Sequence, residues 1–349
     1  MLKKFERQGC GMAIDNRKQR VLRAIVALYA TGGEPVGSGL LAEHFDRAVS
    51  SATLRNEMAA LTKLGLLEQP HTSAGRVPSA KGYRYYLDNL LEPAPVSASV
   101  FAEIDRRFRE MDYDPEHLAQ EAAKALADLT GYAAAVTTPR SDDMCIAHFE
   151  VMQVGRGAAA VLAVTNAGGV RTRTARIESP LEHGDVELAA AALNRYLTFR
   201  SAADVGFDTF EAVDTAAGAR AQALRPIFSA GYTLLKEAGR SAIYLEGQQN
   251  LVRLGCEQSS YCSMLELFSD AQAVRRLIPR SERVTVVLGD ELPGHTMPGL
   301  CVMARRYHAG GGLTGTISII GPTRMQYREM IPTLEYFARV LGEHMAGTA

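Results

Sequence analysis

The 349-residue chain has no unbroken run of apolar residues long enough to cross a bilayer, which takes about 18 or more. Its most apolar stretches lie around Val21–Tyr29 and Thr316–Ile320. Met1–Asn16 is charged and lacks the apolar core of a signal peptide, so a cytoplasmic location is expected, at the nucleoid when bound. Cysteines are few, odd in number and scattered: Cys10, Cys145, Cys256, Cys262 and Cys301. Cys256 and Cys262 stand at the wrong spacing for a zinc pair, and no histidines follow at ligand spacing. Reduced, mostly buried thiols are the expectation. No metal and no cofactor is expected.

Catalytic patterns are missing too. Gly310-Gly311-Gly312-Leu313-Thr314-Gly315 lacks the Lys-Ser/Thr ending of a phosphate-binding loop and precedes a strand, so it reads as a hairpin turn. Gly321-Pro322-Thr323-Arg324 ends a strand before a helix. Its amides can hold an anion, or it is a structural turn with Arg324 pairing an interior carboxylate. The eight histidines are dispersed. Nothing here argues for an enzyme.

Charge of one sign is also lacking, with 38 basic and 39 acidic residues. That balance hides an asymmetry. The first 91 residues carry 13 Lys/Arg against 8 Asp/Glu, and the remainder 25 against 31. A basic head on an acidic body suits an N-terminal anion-binding module joined to something else. Hydrophobic residues make up 47% and charged residues 22%, as in ordinary globular proteins, and the length suggests two domains and permits three.

From Asp15 the apolar spacing of Val21, Leu22, Ile25, Val26, Leu28 and Tyr29 predicts a helix stopped by Gly32-Gly33. After a turn at Glu34–Gly37, Ser38 is placed to cap a short helix over Gly39–Phe45. Ser50 or Ser51 caps the next, which runs to about Leu64 on a core stripe of Leu54, Met58 and Leu61. Its opposite side carries Ala52, Asn56, Ala59 and Lys63, flanked by Arg55. A slim, hydrogen-bonding face of this kind suits a major groove: Asn56 can bond an adenine edge, and Arg55 can reach guanine or a phosphate. A plain solvated helix face is the alternative. The candidate contacts on this helix are Ser51, Ala52, Thr53, Arg55, Asn56 and Lys63.

Gly65 ends that helix, Leu66–Glu68 reads as a strand, and Val77-Pro78 returns after the polar tip His71-Thr72-Ser73-Ala74-Gly75-Arg76. Strand, basic tip and strand directly after a recognition-type helix make a wing, whose Arg and hydroxyls meet phosphates or the minor groove. His71, Thr72, Ser73 and Arg76 are the candidates there, with Arg76 expected to project; His71 reads equally as a solvent-exposed turn residue. Ser79 caps a closing helix to about Leu91, on which Lys81 and Arg84 are candidate phosphate contacts, or merely solvated, and Tyr83 and Tyr86 pack inward. Glu92–Ser99 is a stiff polar linker.

The strings Val49–Met58 and Leu64–Tyr86, then Tyr244-Leu245-Glu246-Gly247 with Asn250-Leu251, and Ile319–Tyr327, closely resemble the bacterial heat-inducible transcription repressor family HrcA. The resemblance runs from about residue 14 to the end; Met1–Ala13 stands outside it and reads as a disordered extension, with Met12 as an alternative start. It implies a GAF-like domain interrupted by an inserted dimerisation subdomain. The expected layout is a winged helix over 14–91, a linker over 92–99, a GAF-like domain over 100–140 and 241–349, and an insert over 141–240.

The body of the chain reads as α+β with local antiparallel hairpins. Helices are expected over Ser99–Met111, Glu116–Thr130, Asp185–Phe199, Ala219–Glu237, Met264–Leu277 and Arg328–Glu343. Strands are expected over Tyr132–Thr138, Cys145–Val154, Ala158–Thr165, Gly169–Glu178, Ala242–Glu246, Val284–Gly289, Leu300–Tyr307 and Leu313–Ile320.

The function expected is a homodimeric repressor that sets two winged helices on double-stranded DNA at an inverted repeat. The resemblance adds chaperone operons as targets, a GroEL-type chaperonin that maintains the active form, and relief by heat or chaperonin titration. The alternatives are a winged-helix regulator sensing a small-molecule effector through its GAF-like domain, and a winged helix used only for protein contact.

Overall fold

The computed structural model describes residues 14–111, 114–140, 144–166, 168–178, 181–182, 184–200, 204–238, 241–254, 273–274, 277–292 and 297–347. The extension Met1–Ala13, three of the cysteines (Cys10, Cys256 and Cys262) and most of the helix expected over Met264–Leu277 lie outside the described residues. The fold is α+β, in two compact units. One takes the described residues up to Thr137, with Ile243–Gly310 and those from Thr316 onward; the other is Thr138–Ala242 with Gly311–Gly315.

The first unit opens with α1 (Asn16–Gly32), whose N-cap Asp15 accepts the Lys18 N–H and whose C-cap Gly33 adopts φ 73°. The short α2 (Ser38–His44) and then α3 (Ser51–Lys63) follow. Ser50, not Ser51, caps α3, accepting the Thr53 N–H. Ser38 is not a cap. It lies inside α2 and accepts a hydrogen bond from the Ser51 hydroxyl at 2.9 Å, so these two serines join the helices. Val21, Leu22, Ile25, Leu41, Leu54 and Leu61 bury the three-helix core.

Strands β1 (Leu67–Glu68) and β2 (Val77–Pro78) pair antiparallel. Val36, expected within a turn, adds a bridge to Arg76 and widens the wing's base. The closing helix α4 (Ala80–Tyr85), capped by Ser79, runs on as a π-turn over Tyr86–Leu90. Residues 92–97 are not a free spacer: Ala94 N–H donates to the Arg328 carbonyl at 2.8 Å and Arg328 Nε to that of Glu92 at 3.0 Å. These bonds help explain why the N-terminal module belongs to the same compact unit as the sheet that follows, where the sequence suggested separate domains.

Helices α5 (Ala98–Arg109) and α6 (Pro115–Thr130) come next. The sheet that they precede combines β3 (Ala133–Thr137), β7 (Ile243–Glu246), β8 (Thr285–Leu288), β9 (Leu300–His308) and β10 (Thr314–Pro322) in the order β7-β3-β10-β9-β8. Between β7 and β8 lies α10 (Gln248–Arg253), which the sequence reading missed. The last helix, α11 (Tyr327–Met345), packs on β9 and on α5 and α6. The opposite face of the sheet buries Ala133, Ala135, Leu300, Val302 and Ala304 with Leu251 and Leu277. Gly310-Gly311-Gly312, all at positive φ, turn the chain between neighbouring strands β9 and β10. Arg324 meets a carbonyl, that of Leu254, where an interior carboxylate was expected.

Cys301 is fully buried on β9, and burial pushes its thiol up to about 12. Peptide-resolved thiol labelling of the native protein near pH 8 is therefore expected to modify half-buried Cys145 while sparing Cys301 until the fold is denatured. Equal labelling of both in the native state would contradict this packing.

The second unit is a three-stranded meander, β4 (Ile146–Gly155), β5 (Ala158–Thr165) and β6 (Val170–Arg176), with α7 (Asp185–Leu197), α8 (Phe207–Ala217) and α9 (Ala221–Ala238). No strong apolar stripe in the sequence marks α8. Phe149, Val151, Val161, Ala163 and Ala175 point to the helices and form one core with Leu193, Leu197, Val213, Leu224 and Ile227. The Asn194 side chain bonds both the N–H and the carbonyl of Phe149, at 2.9 and 2.7 Å, satisfying backbone groups on outer strand β4. The other sheet face presents Met152, Val154 and Val170, exposed at 48%, 57% and 62%. Between them the middle strand β5 shows Leu162 and Val164, so it is apolar on both sides.

Candidate nucleic-acid interface

The stripe Leu54, Met58 and Leu61 turns one side of α3 into the core, and 3.6-residue periodicity leaves the other side in solvent. On that side Ala52, Arg55, Asn56, Ala59 and Lys63 are all exposed. Ser51 and Thr53 are half-buried and serve the start of the helix: Ser51 bonds Ser38, and Thr53 bonds the Ser50 cap through its N–H at 3.1 Å. Behind α3, Glu57 faces α1 and pairs with Lys18 at 3.3 Å. That tie leaves the outer face to Arg55, Asn56 and Lys63.

His71, Thr72 and Ser73 are exposed at the wing tip. Gln69, which the sequence reading passed over, braces this loop by donating to the carbonyls of Thr72 at 2.8 Å and Ala74 at 3.1 Å. Gly75 sits where the chain crosses Val36; a Cβ there would lie 2.4 Å from the Val36 carbonyl. Arg76 does not project freely. It is half-buried at the wing's base, exchanging backbone bonds with Val36 at 2.9 Å, and its Nε donates to Thr62 Oγ1 on α3 at 3.1 Å. The wing's base is thus tied directly to α3. Lys81 is exposed and caps α3, its Nζ donating to the Leu64 carbonyl at 3.2 Å.

Arg84 stands apart from these residues, held by Glu291 in the body of the unit and by Asp88 one turn on along its own helix. Burial alone would lower its pKa, but the carboxylates of Glu291 and Asp88 together outweigh that and raise it. Another cation was overlooked in the sequence. The turn between α2 and α3 passes through Asp46 and Arg47 at φ 49° and 57°, left-handed values uncommon for residues other than glycine, and Arg47 lies in solvent just before α3. No composition signal marks it, because the left-handed turn is made without glycine.

A slim polar helix face with a braced wing at its C-terminal end has a shape that suits a major groove, and comparison with known proteins identifies the family. The model of the HrcA protein C-terminal domain family matches residues 116–331. The heat-inducible transcription repressor HrcA of Desulforudis audaxviator (strain MP104C) is 31% identical over 341 residues, 95% of this chain and 97% of that protein. The chain belongs to the HrcA family. The HrcA repressor of Lactobacillus acidophilus is 30% identical, again over 95% of this chain and 97% of its own. A crystal structure of a hypothetical protein, at 24% identity and a TM-score of 0.58, shares the fold over 96% of this chain and 99% of that one. As an HrcA-family transcription repressor the protein binds DNA and is not an enzyme. Among the described residues no helix is long and apolar enough to cross a membrane.

Proposed function

We propose that the protein represses chaperone operons from the cytoplasm, at the nucleoid, by binding an inverted-repeat operator as a homodimer, with α3 of each copy in the major groove and each wing on the adjacent backbone. The observation that carries this reading is the exposed face of α3, where Asn56 and Arg55 stand between the small residues Ala52 and Ala59 beside the wing. Asn56 is the base reader; Arg55, Lys63, His71, Thr72, Ser73 and Lys81 supply base or phosphate contacts; Arg76 braces the wing and adds charge. The outer face of β4-β5-β6, apolar at Met152, Leu162, Val164 and Val170 and polar at Glu150 and Thr172, is where a second copy docks, the two-fold axis matching the operator's symmetry. A GroEL-type chaperonin maintains a marginally stable dimer, and heat or unfolded clients deplete it.

Gel-shift titration with operator and random duplexes tests the interface. Asn56→Ala should chiefly erode sequence preference, by about 1–3 kcal/mol for one lost bidentate base contact. Arg76→Ala should weaken operator and random DNA alike. Each phosphate contact removed should lower the slope of log affinity against log salt by about 0.9. The reverse assignment of effects, or binding indifferent to salt, would overturn this interface.

A further inference from the structure

Every nitrogen of the Arg84 guanidinium has a partner. Its Nε donates to Glu291 Oε1 at 2.7 Å and its Nη2 to Glu291 Oε2, a two-pronged pair. Nη2 also donates to the Val286 carbonyl at 2.9 Å, and Nη1 lies 3.5 Å from Asp88 Oδ1. Glu291 is itself held in place, because its Oε2 accepts the Leu288 N–H at 3.0 Å at the end of β8. Clefts of about 510 and 240 Å³ flank Arg84, the smaller one lined by Glu291 as well, so the pair spans incompletely filled space between α4 and β8. A neighbouring tie is Tyr83, edge-on to Tyr327 with centroids 6.2 Å apart.

From Arg84 the path to α3 is short and stiff. Lys81 bonds the Leu64 carbonyl, Ser79 Oγ donates to the Gly65 carbonyl at 2.6 Å, and Gly82 lies directly against the Leu66 carbonyl. Any tilt of α4 therefore carries α3 and the wing with it.

We propose that Glu291 is a positioning residue for operator recognition: by gripping Arg84 it sets the angle at which α4, and with it α3, is presented to DNA. A fixed angle matters most when two half-sites must be met at once, because freedom at either copy lowers the effective concentration of the second contact. The inference rests on the paired half-site reading above.

The test compares the full-length protein with Glu291→Ala, Glu291→Gln, Arg84→Ala and the double variant on inverted repeats of graded spacer length and on a single half-site. The unaltered protein should prefer one spacer sharply. Glu291→Ala should lose about tenfold on that spacer and bind the others more evenly, with single-half-site affinity held within about twofold. Glu291→Gln, which keeps an oxygen for Arg84 Nε, should fall between. Arg84→Ala should flatten the spacer profile likewise, and the double variant should be no worse than either single change. If Glu291→Ala keeps the sharp profile, or loses half-site and paired-site binding by the same factor, the positioning role is overturned; circular dichroism separates the latter from misfolding, and Glu291→Gln then decides. An unaltered protein indifferent to spacer length would overturn the paired half-site reading itself.

Discussion

Replacing Met152 and Val170 together by glutamate is expected to yield a monomer that binds the inverted repeat at least about 100-fold more weakly than the parent. Both side chains already stand in solvent on this protomer, so the isolated fold has little to lose from the change. If they face a second copy, four buried carboxylates would meet across the two-fold axis without partners, a cost that association cannot absorb. Light scattering should report half the parent's mass, while single-half-site affinity stays close to the parent's. A variant that remains a dimer would show that the copies meet through another surface.

The second large effect is expected from Gly82→Ala. A methyl group at this position would stand 2.0 Å from the Leu66 carbonyl oxygen and 3.0 Å from its carbon, inside the seat where the closing helix meets the strand after α3. The obstacle is backbone, not the end of a flexible side chain, so the helix must move. Moving it strains the Gly82 N–H bond to the Ser79 cap at 3.0 Å and the ties from Ser79 and Lys81 to the end of α3. Overpacking of this kind costs about 1–3 kcal/mol, and the upper end applies here. Operator binding should be largely lost and thermal unfolding of the N-terminal module should come several degrees earlier. Parent-like affinity and melting would mean that Gly82 is not pressed against Leu66 in solution.

Much of the fold was legible because local chemistry repeats along the chain. The stripe in α3 and the caps at Ser50 and Ser79 are each written within a dozen residues, and the elements form close to where those signals put them. Ser38 shows the limit of such reading. A serine before an apolar pair looks like a cap, yet its hydroxyl is taken by Ser51 across the turn, a partner that propensity does not encode. Helix α8 was missed because its buried side is Thr209, Val213 and Ala217, too small and polar for a strong stripe, with Phe207 left outside.

The candidate interface divides in the same way. That Ala52, Arg55 and Asn56 face outward follows from sequence alone, since burying Leu54, Met58 and Leu61 fixes the rotation of the helix. Which cations are available to DNA was decided by tertiary structure. Arg84 and Arg76 look alike in the sequence as basic residues on or beside the wing, but the first is neutralised by a carboxylate 207 residues away, whereas the second is tethered through Nε to the hydroxyl of Thr62 and keeps its charge. Arg47 gains its exposed place from a left-handed turn. Charge is a property of the residue, whereas its availability depends on which acceptor the folded chain brings within hydrogen-bonding distance, and only long-range packing sets that.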